Sequence, residues 1–210
     1  MTESANPIRI LLADDHPLLR DGVAGLMADQ PDMELVGEAS NGREAIDQFR
    51  KHRPDIILLD LQMPEINGID AILAIRAESR DARIIVLTTY TGDVQILRAL
   101  KAGAQAYLLK STLRRELLDT IRAVHKGQRR IQPEVAAKIA EHAADDPLTS
   151  REIEVLRLIA AGKANKLVAS ELAITEETVK GHVKSILSKL GAGDRTHAVT
   201  IALKRGIIEI

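Results

Sequence analysis

Two adjacent carboxylates, Asp14 and Asp15, follow the apolar run IRILLA (8–13), and a third, Asp60, closes DIILLD (55–60). A hydroxyl pair, Thr88-Thr89, ends and follows RIIVLT (83–88), and a lysine, Lys110, ends AYLLK (106–110). Crowded carboxylates repel one another unless a hard divalent cation sits among them, and a site with few oxygen donors suits Mg²⁺. Such a cation would neutralise an incoming phosphoryl group. Lys110 and Thr88 would hold its oxygens, and one carboxylate would attack phosphorus. Each residue alone has an ordinary explanation: a capping aspartate, a solvated lysine, a threonine in a turn. Five of them at the ends of apolar runs in one chain are hard to assign to turns.

The set converges only if those runs are parallel strands of one sheet, because ligands of such sheets bind at the strands' carboxyl ends. With MELVGEA (33–39) there are five short runs bounded by turns. Four of the five are nearly continuous in apolar residues, as strands covered on both faces are. Between them lie stretches of helical spacing: Leu18, Leu19, Val23, Leu26 and Met27; Ala45, Ile46 and Phe49, with Asn41 and Glu44 as an N-terminal cap pair; Ile69, Ile72, Leu73 and Ile75; Val94, Leu97 and Leu100; Leu117, Leu118 and Ile121. Five βα units predict an α/β domain with a doubly wound, five-stranded parallel sheet over residues 1–124.

Composition narrows the alternatives. In 210 residues there is no Cys, so disulfides, thiolate metal sites and cysteine nucleophiles are excluded. No uncharged stretch is longer than Ile84 to Gly92, too short to span a membrane, and MTESANPIR lacks the pattern of a secretory signal, which makes cytoplasm the expectation. Phe49, Tyr90 and Tyr107 are the whole aromatic complement, which argues against a pocket that stacks flat ligands or single-stranded bases. The net charge of −1 conceals an acidic front, with 15 Lys+Arg against 19 Asp+Glu before His125, and a basic back, with 10 against 7 after Asp146. Two domains with different partners are the natural reading.

Residues 125–146 lose the strand pattern and read as a linker with a short helix from Glu134 to Ala144. From Pro147 the sequence is all helical. Thr149 and Glu152 form a capping box before Ile153, Leu156 and Ile159. A short helix near Lys166–Leu172 precedes a longer one from Thr175, with Glu176 and Glu177 at its positive end and Gly191 and Gly193 at its stop. Short helix, turn, longer helix is the helix-turn-helix order. At 100° per residue the longer helix places its apolar stripe near Val183 and Leu190. Gly181, Ser185 and Ser188 fall opposite, flanked by Lys180 and Lys184. A last helix, Asp194–Lys204, has enough apolar residues to offer a pairing face or to complete the small domain's core.

LLADDHPLLRDGV, DIILLDLQMPEINGID, IIVLTTY and GAQAYLLK resemble the receiver domain of bacterial response regulators, which is flavodoxin-like. LTSREIEVLRLIAAGKANK and TVKGHVKSILSKLGAGDRTHAV resemble the LuxR-type helix-turn-helix of the NarL/FixJ subfamily. The resemblance implies that Asp60 accepts a phosphoryl group from a sensor histidine kinase. Asp14, Asp15, Asp60 and the backbone carbonyl of Gln62 hold Mg²⁺, with no small organic cofactor. Thr88 and Lys110 sense the phosphoryl oxygens, Tyr107 changes rotamer with Thr88, and Pro64 and Gly68 shape the loop between. It implies a DNA-binding domain over 147–210, dimeric when activated. Its helix from Thr175 enters the major groove with Thr178, Lys180, Gly181 and Lys184, while Lys166 lies where relatives contact phosphate.

Three positions depart from the pattern. Ser111 follows Lys110 where receivers commonly have Pro, often after a cis bond; Ala164 stands where Ser or Thr usually caps the short helix; Leu167 replaces a usual Glu. Rival functions lack their residues. An aspartate-nucleophile phosphatase of the haloacid dehalogenase type needs a second Asp two positions after the first, where Gln62 stands, and neither glycine-rich nucleotide motif occurs. A small-molecule-sensing LuxR regulator would lack the carboxylate cluster. A receiver that works without phosphorylation remains the alternative, distinguished by DNA binding that ignores a phosphodonor.

Overall fold

The apolar runs form strands because both faces of each are covered by helices. The computed structural model describes residues 6–89, 92–142 and 145–208. The chain divides into two compact units, Met1–Tyr90 with Ile96–Ala136, and Thr91–Gln95 with Ala137–Ile210.

In the first unit, strands β1 (Ile8–Ala13), β2 (Met33–Ala39), β3 (Ile56–Asp60), β4 (Arg83–Thr88) and β5 (Ala106–Leu109) alternate with helices α1 (Pro17–Ala28), α2 (Gly42–His52), α3 (Gly68–Glu78), α4 (Asp93–Ala102) and α5 (Leu113–His125). All pairings are parallel, in the order β2-β1-β3-β4-β5-β6, where β6 is Arg130–Ile131. The order reverses between β1 and β3, which opens a crevice at their carboxyl ends. Alternation along the strands sorts the core. Ile10, Leu12, Leu58 and Leu87 share one cluster with Val23 and Met27 of α1 and Leu117 and Ile121 of α5. Leu11, Ile57, Leu59 and Val86 are buried on the opposite face, and α2 packs there against β1 and α3 through a stripe that includes Ala45, Ile46 and Phe49. The Asn41 side chain accepts from the Glu44 N–H at 2.8 Å, so the expected cap is made.

Two expectations change here. Among the described residues the sheet has six strands, not five: β6 pairs with β5 through two residues whose side chains are both exposed, and so carries no apolar signal. The buried apolar residues of α4 are Ile96 and Ala99, one step before the expected Leu97 and Leu100, which with Val94 are only half-buried. The linker helix α6 spans Pro133–Glu141; the expected extension to Ala144 ends outside the described residues.

In the second unit, α7 (Ser150–Ala160), α8 (Asn165–Glu171), α9 (Glu176–Leu190) and α10 (Arg195–Lys204) enclose one core that includes Val155, Leu156, Val168, Val179, Ile186, Ala198 and Ala202. The Thr149–Glu152 capping box is present, and Thr175 caps α9 by accepting from the Thr178 N–H. Gly191 ends α9 at φ 60, a left-handed position that glycine fills without strain. Ala164 begins α8 with no side-chain cap, as its sequence requires. Ser185 lies in a different place from the one expected: its hydroxyl turns to Glu152, 2.6 Å away, instead of standing on the open face. No helix among the described residues is long and apolar enough to cross a membrane.

Candidate functional site

Asp14 is the first residue past β1 and Asp60 the last of β3, so strand geometry alone brings both to the crevice. Both are buried, at 0% and 3% exposure, while Asp15 is exposed. Lys110, immediately after β5, reaches across to them. Its Nζ lies 2.6 Å from Asp60 Oδ2 and 2.8 Å from Asp14 Oδ2. Burial pushes the Asp60 carboxyl up, Lys110 pulls it back, and the Asp14 charge adds to the rise, leaving it above the usual range. Burial disfavours the Lys110 ammonium, but its two carboxylate partners outweigh that and hold its pKa above the ordinary value. The Gln62 N–H donates to Asp60 Oδ1 at 3.2 Å.

The loop after β3 is shaped for this corner. A Cβ on Gly68 would collide with the Asp60 carbonyl and the Leu61 Cα, so only glycine lets α3 start so close to the strand end. Glu65, in the same loop, sits at φ 64, a costly value for a residue with a side chain. Thr88 closes β4 fully buried. Tyr107 is also fully buried; burial pushes its phenol well up, and a hydrogen bond with Thr88 opposes the rise. The aromatic is therefore already inside. The bond joining Lys110 to Ser111 is trans, as are all peptide bonds of the described residues.

One site residue was not singled out from sequence. His16 lies beside the carboxylates, its Nδ1 2.6 Å from Asp15 Oδ1 and 3.2 Å from Asp14 Oδ1, and its backbone N–H donates to Asp14 Oδ1. The signal was its place directly after the Asp pair. Asp14, Asp15, His16 and Asp60 each offer a ligand atom within 4.8 Å of the others. Asp14 Oδ2, wholly buried, has the Lys110 ammonium 2.8 Å away as its partner. Three carboxylates gathered about one lysine leave an excess of negative charge, and such an oxygen-rich pocket fits a divalent cation. Beside it runs a groove of about 640 Å³ with apolar walls from Leu18, Leu19, Val23, Leu26 and Leu113, with Lys110 in its lining.

In the second unit, Thr178, Lys180, Gly181 and Lys184 form one exposed face of α9, and Lys166 of α8 is exposed. A Cβ on Gly181 would meet nothing within 4 Å, so the fold itself does not demand a glycine there. Glu152, buried at the start of α7, fixes α9 from behind. It accepts from Ser185 Oγ at 2.6 Å, from the Thr149 N–H at 2.7 Å and from Lys189 Nζ at 3.0 Å. Burial works against its charge, but these donors hold its carboxyl down at about 2. Nothing in the capping-box reading of Glu152 indicated this second role.

A doubly wound sheet with three carboxylates and a lysine at one edge, joined to a four-helix unit with a helix-turn-helix, defines a class. The chain belongs to the response regulators with a receiver domain and a LuxR-family output domain. Residues 10–122 match the family described as response regulator receiver domain, and residues 146–202 match the bacterial regulatory proteins of the luxR family. Transcriptional regulatory protein LiaR of Bacillus subtilis (strain 168) is 42% identical over 209 residues, covering 96% of this chain and 99% of the relative. Response regulator protein VraR of Staphylococcus aureus (strain NCTC 8325 / PS 47) is 38% identical over 207 residues, covering 96% and 99%. Among solved structures, the two-component response regulator RcsB in complex with DNA is similar at TM-score 0.71 and 25% identity, covering 95% of this chain and 99% of that one.

Proposed function

We propose that this chain is a phosphorylation-activated transcription regulator in which Asp60 accepts a phosphoryl group from a sensor histidine kinase. Residues 1–124 receive the signal, 125–146 link, and 147–210 bind promoter DNA as a dimer in the cytoplasm. The observation that carries the reading is the Lys110 ammonium held between buried Asp14 and Asp60. A structural ion pair needs one carboxylate; a second buried carboxylate is useful where an anion and a cation must both be received.

Asp14, Asp15, Asp60 and the Gln62 carbonyl would hold Mg²⁺. When bound, that ion offsets the carboxylates' repulsion and the charge of the donor's phosphoryl oxygens. An Asp60 carboxylate oxygen attacks phosphorus, the bond from phosphorus to the donor imidazole nitrogen breaks, and its electron pair returns to the imidazole. An acyl phosphate results. Lys110 leaves the carboxylate and follows the new phosphoryl oxygens, and the Thr88 hydroxyl turns toward them, with Tyr107 responding through Thr88. The apolar groove beside Lys110 suits the approach of a donor protein. Turnover of phosphate esters is not part of this function, since Gln62 replaces the acid such hydrolysis requires.

On the output side, the exposed face of α9 would enter the major groove, with Thr178, Lys180, Gly181 and Lys184 at base edges and Lys166 at a phosphate. The RcsB–DNA complex supports this reading by similarity. One small helix offers few base contacts, so two copies on neighbouring half-sites bind far better than one.

The test is intact-mass analysis with acetyl phosphate. One phosphoryl group is expected on the wild type, none on Asp60→Asn or Asp15→Ala, and none in excess chelator. An adduct that persists in Asp60→Asn sinks the assignment. DNA affinity identical with and without phosphodonor, despite labelling, would favour a receiver that works without phosphorylation.

A further inference from the structure

Beyond β5 the chain turns through a single 3-10 turn, Lys110–Thr112, and enters α5. It then returns as β6, which lies parallel to β5, with Arg130 opposite Ala106 and Ile131 opposite Tyr107. Strand β6 is two residues long and both side chains are exposed, so the core does not fix it. Gln132, the next residue, is 5% exposed and uses its whole amide. Its Oε1 accepts from the Leu109 N–H at 3.3 Å, and its Nε2 donates to Thr112 Oγ1 at 2.8 Å and Glu116 Oε2 at 2.7 Å. Thr112 Oγ1 in turn donates to the Leu109 carbonyl at 3.0 Å. The Gln132 carbonyl receives the Ala136 N–H and so opens the linker helix α6.

We infer that Gln132 is a positioning residue that couples the linker to the Lys110 corner. The inference rests on the proposed phosphorylation of Asp60. Leu109 and Thr112, which Gln132 holds, bracket Lys110 and Ser111, and Lys110 is the residue that binds Asp60 and Asp14. A buried amide with every donor and acceptor engaged specifies one arrangement and tolerates displacement badly. Here that arrangement is the one with Lys110 on the bare carboxylates. A phosphoryl group on Asp60 occupies space against Oδ2, so the ammonium must shift. The turn that carries it is three residues long, and Gln132 holds Leu109 just before it and Thr112 at its end. Movement of this turn with the ammonium works against the Gln132 hydrogen bonds and loosens β6 and the start of α6.

Coupling of this kind is reciprocal: whatever loosens the linker must favour the occupied receiver by the same factor. This gives two readouts that a purely structural glutamine would not move. The probe is Mg²⁺ with fluoroberyllate, a tetrahedral phosphoryl mimic, on the full chain, followed by amide exchange with mass spectrometry. In wild type, fluoroberyllate should speed exchange across residues 128–136. In Gln132→Met and Thr112→Val that segment should exchange fast without the mimic, and fluoroberyllate should bind about five- to tenfold tighter, the low end of known couplings. Thr112→Ser, which keeps the hydroxyl, should behave as wild type. If Gln132→Met fails to fold, Thr112→Val decides alone.

Three results would overturn the coupling: residues 128–136 indifferent to fluoroberyllate while the loop after β3 responds, unchanged affinity in Thr112→Val, or a Thr112→Ser that behaves like Thr112→Val. Failure of wild type to bind fluoroberyllate at all would instead refute the phosphoacceptor reading on which the coupling rests.

Discussion

Glu152 offers the sharpest link between a titration and the face of α9 proposed to bind DNA. Its carboxyl is held at about 2 against an ordinary 4.5. At about 1.4 kcal/mol per pKa unit, that difference is worth about 3 kcal/mol of stability to the unit containing α7 and α9. The folded value lies below the unfolded one, so the contribution is complete above about pH 5 and is lost as pH falls toward 2. Substituting Glu152→Gln keeps the shape but removes the charge facing Lys189 and turns one acceptor into a donor aimed at the Thr149 N–H. At pH 7 the variant should lose about 3 kcal/mol, which is roughly a hundredfold faster exchange of α7 and α9 amides after correction for intrinsic rates. Between pH 5 and 3 the wild type should lose protection steadily in these helices while the variant stays nearly flat. Specific DNA binding should fall with the helix it steadies. Equal protection in both proteins at pH 7, or parallel pH curves, would refute the reasoning and make Glu152 an ordinary cap.

Removing Lys110, as Lys110→Met, leaves two buried carboxylates face to face. A broken buried pair costs about 3–5 kcal/mol, less whatever protonation of Asp60 relieves. Because the folded Asp60 pKa is then raised further above its unfolded value, the variant should gain thermal stability relative to wild type on going from pH 7 to 5; a melting temperature that falls in parallel with wild type would count against it. Gly68→Ala should destabilise the receiver and abolish labelling with acetyl phosphate, since the added methyl strikes the Asp60 carbonyl; normal labelling would show that the loop yields. Gly181→Ala has open space and should stabilise α9 by about 1 kcal/mol, yet weaken specific DNA binding if the helix backbone lies close to the bases. Lys166→Ala should weaken binding to all sequences and lower the slope of log affinity against log salt by about one, measured by anisotropy at several salt concentrations.

Most of the receiver was legible because parallel strands covered on both faces announce themselves as unbroken apolar runs, and their last residues fall at the functional edge by geometry. Asp14, Asp60, Thr88 and Lys110 needed nothing more. Strand β6 escaped because it is held by hydrogen bonds and not by burial, and an exposed Arg-Ile pair has no pattern. His16 escaped for another reason: it lies on the turn into α1, where periodicity says nothing about direction. On α9 the helical wheel placed Lys180, Gly181 and Lys184 correctly. It misplaced Ser185 because a wheel sees one helix, while the partner that turns this hydroxyl inward, Glu152, lies 33 residues earlier.

Energetically two of the charged clusters of this chain, around Glu152 and around Asp60, are opposites. Glu152 is a carboxylate whose donors outweigh its burial, so its charge is comfortable and its helices are fixed. Asp60 is a carboxylate whose burial outweighs its lysine, so its charge is held at a cost and the corner gains from any ligand that relieves it. A group held below its ordinary pKa adds stability in its charged form, while one held above it gains when a cation or a covalent neighbour takes up its charge. That difference in sign makes the Asp60 corner the one whose energy a bound cation or phosphoryl group changes most, while the contacts of Glu152 behind α9 are already satisfied. Glu152 is held by a backbone N–H, a hydroxyl and an ammonium at once, whereas at the other cluster a single ammonium serves both Asp14 and Asp60.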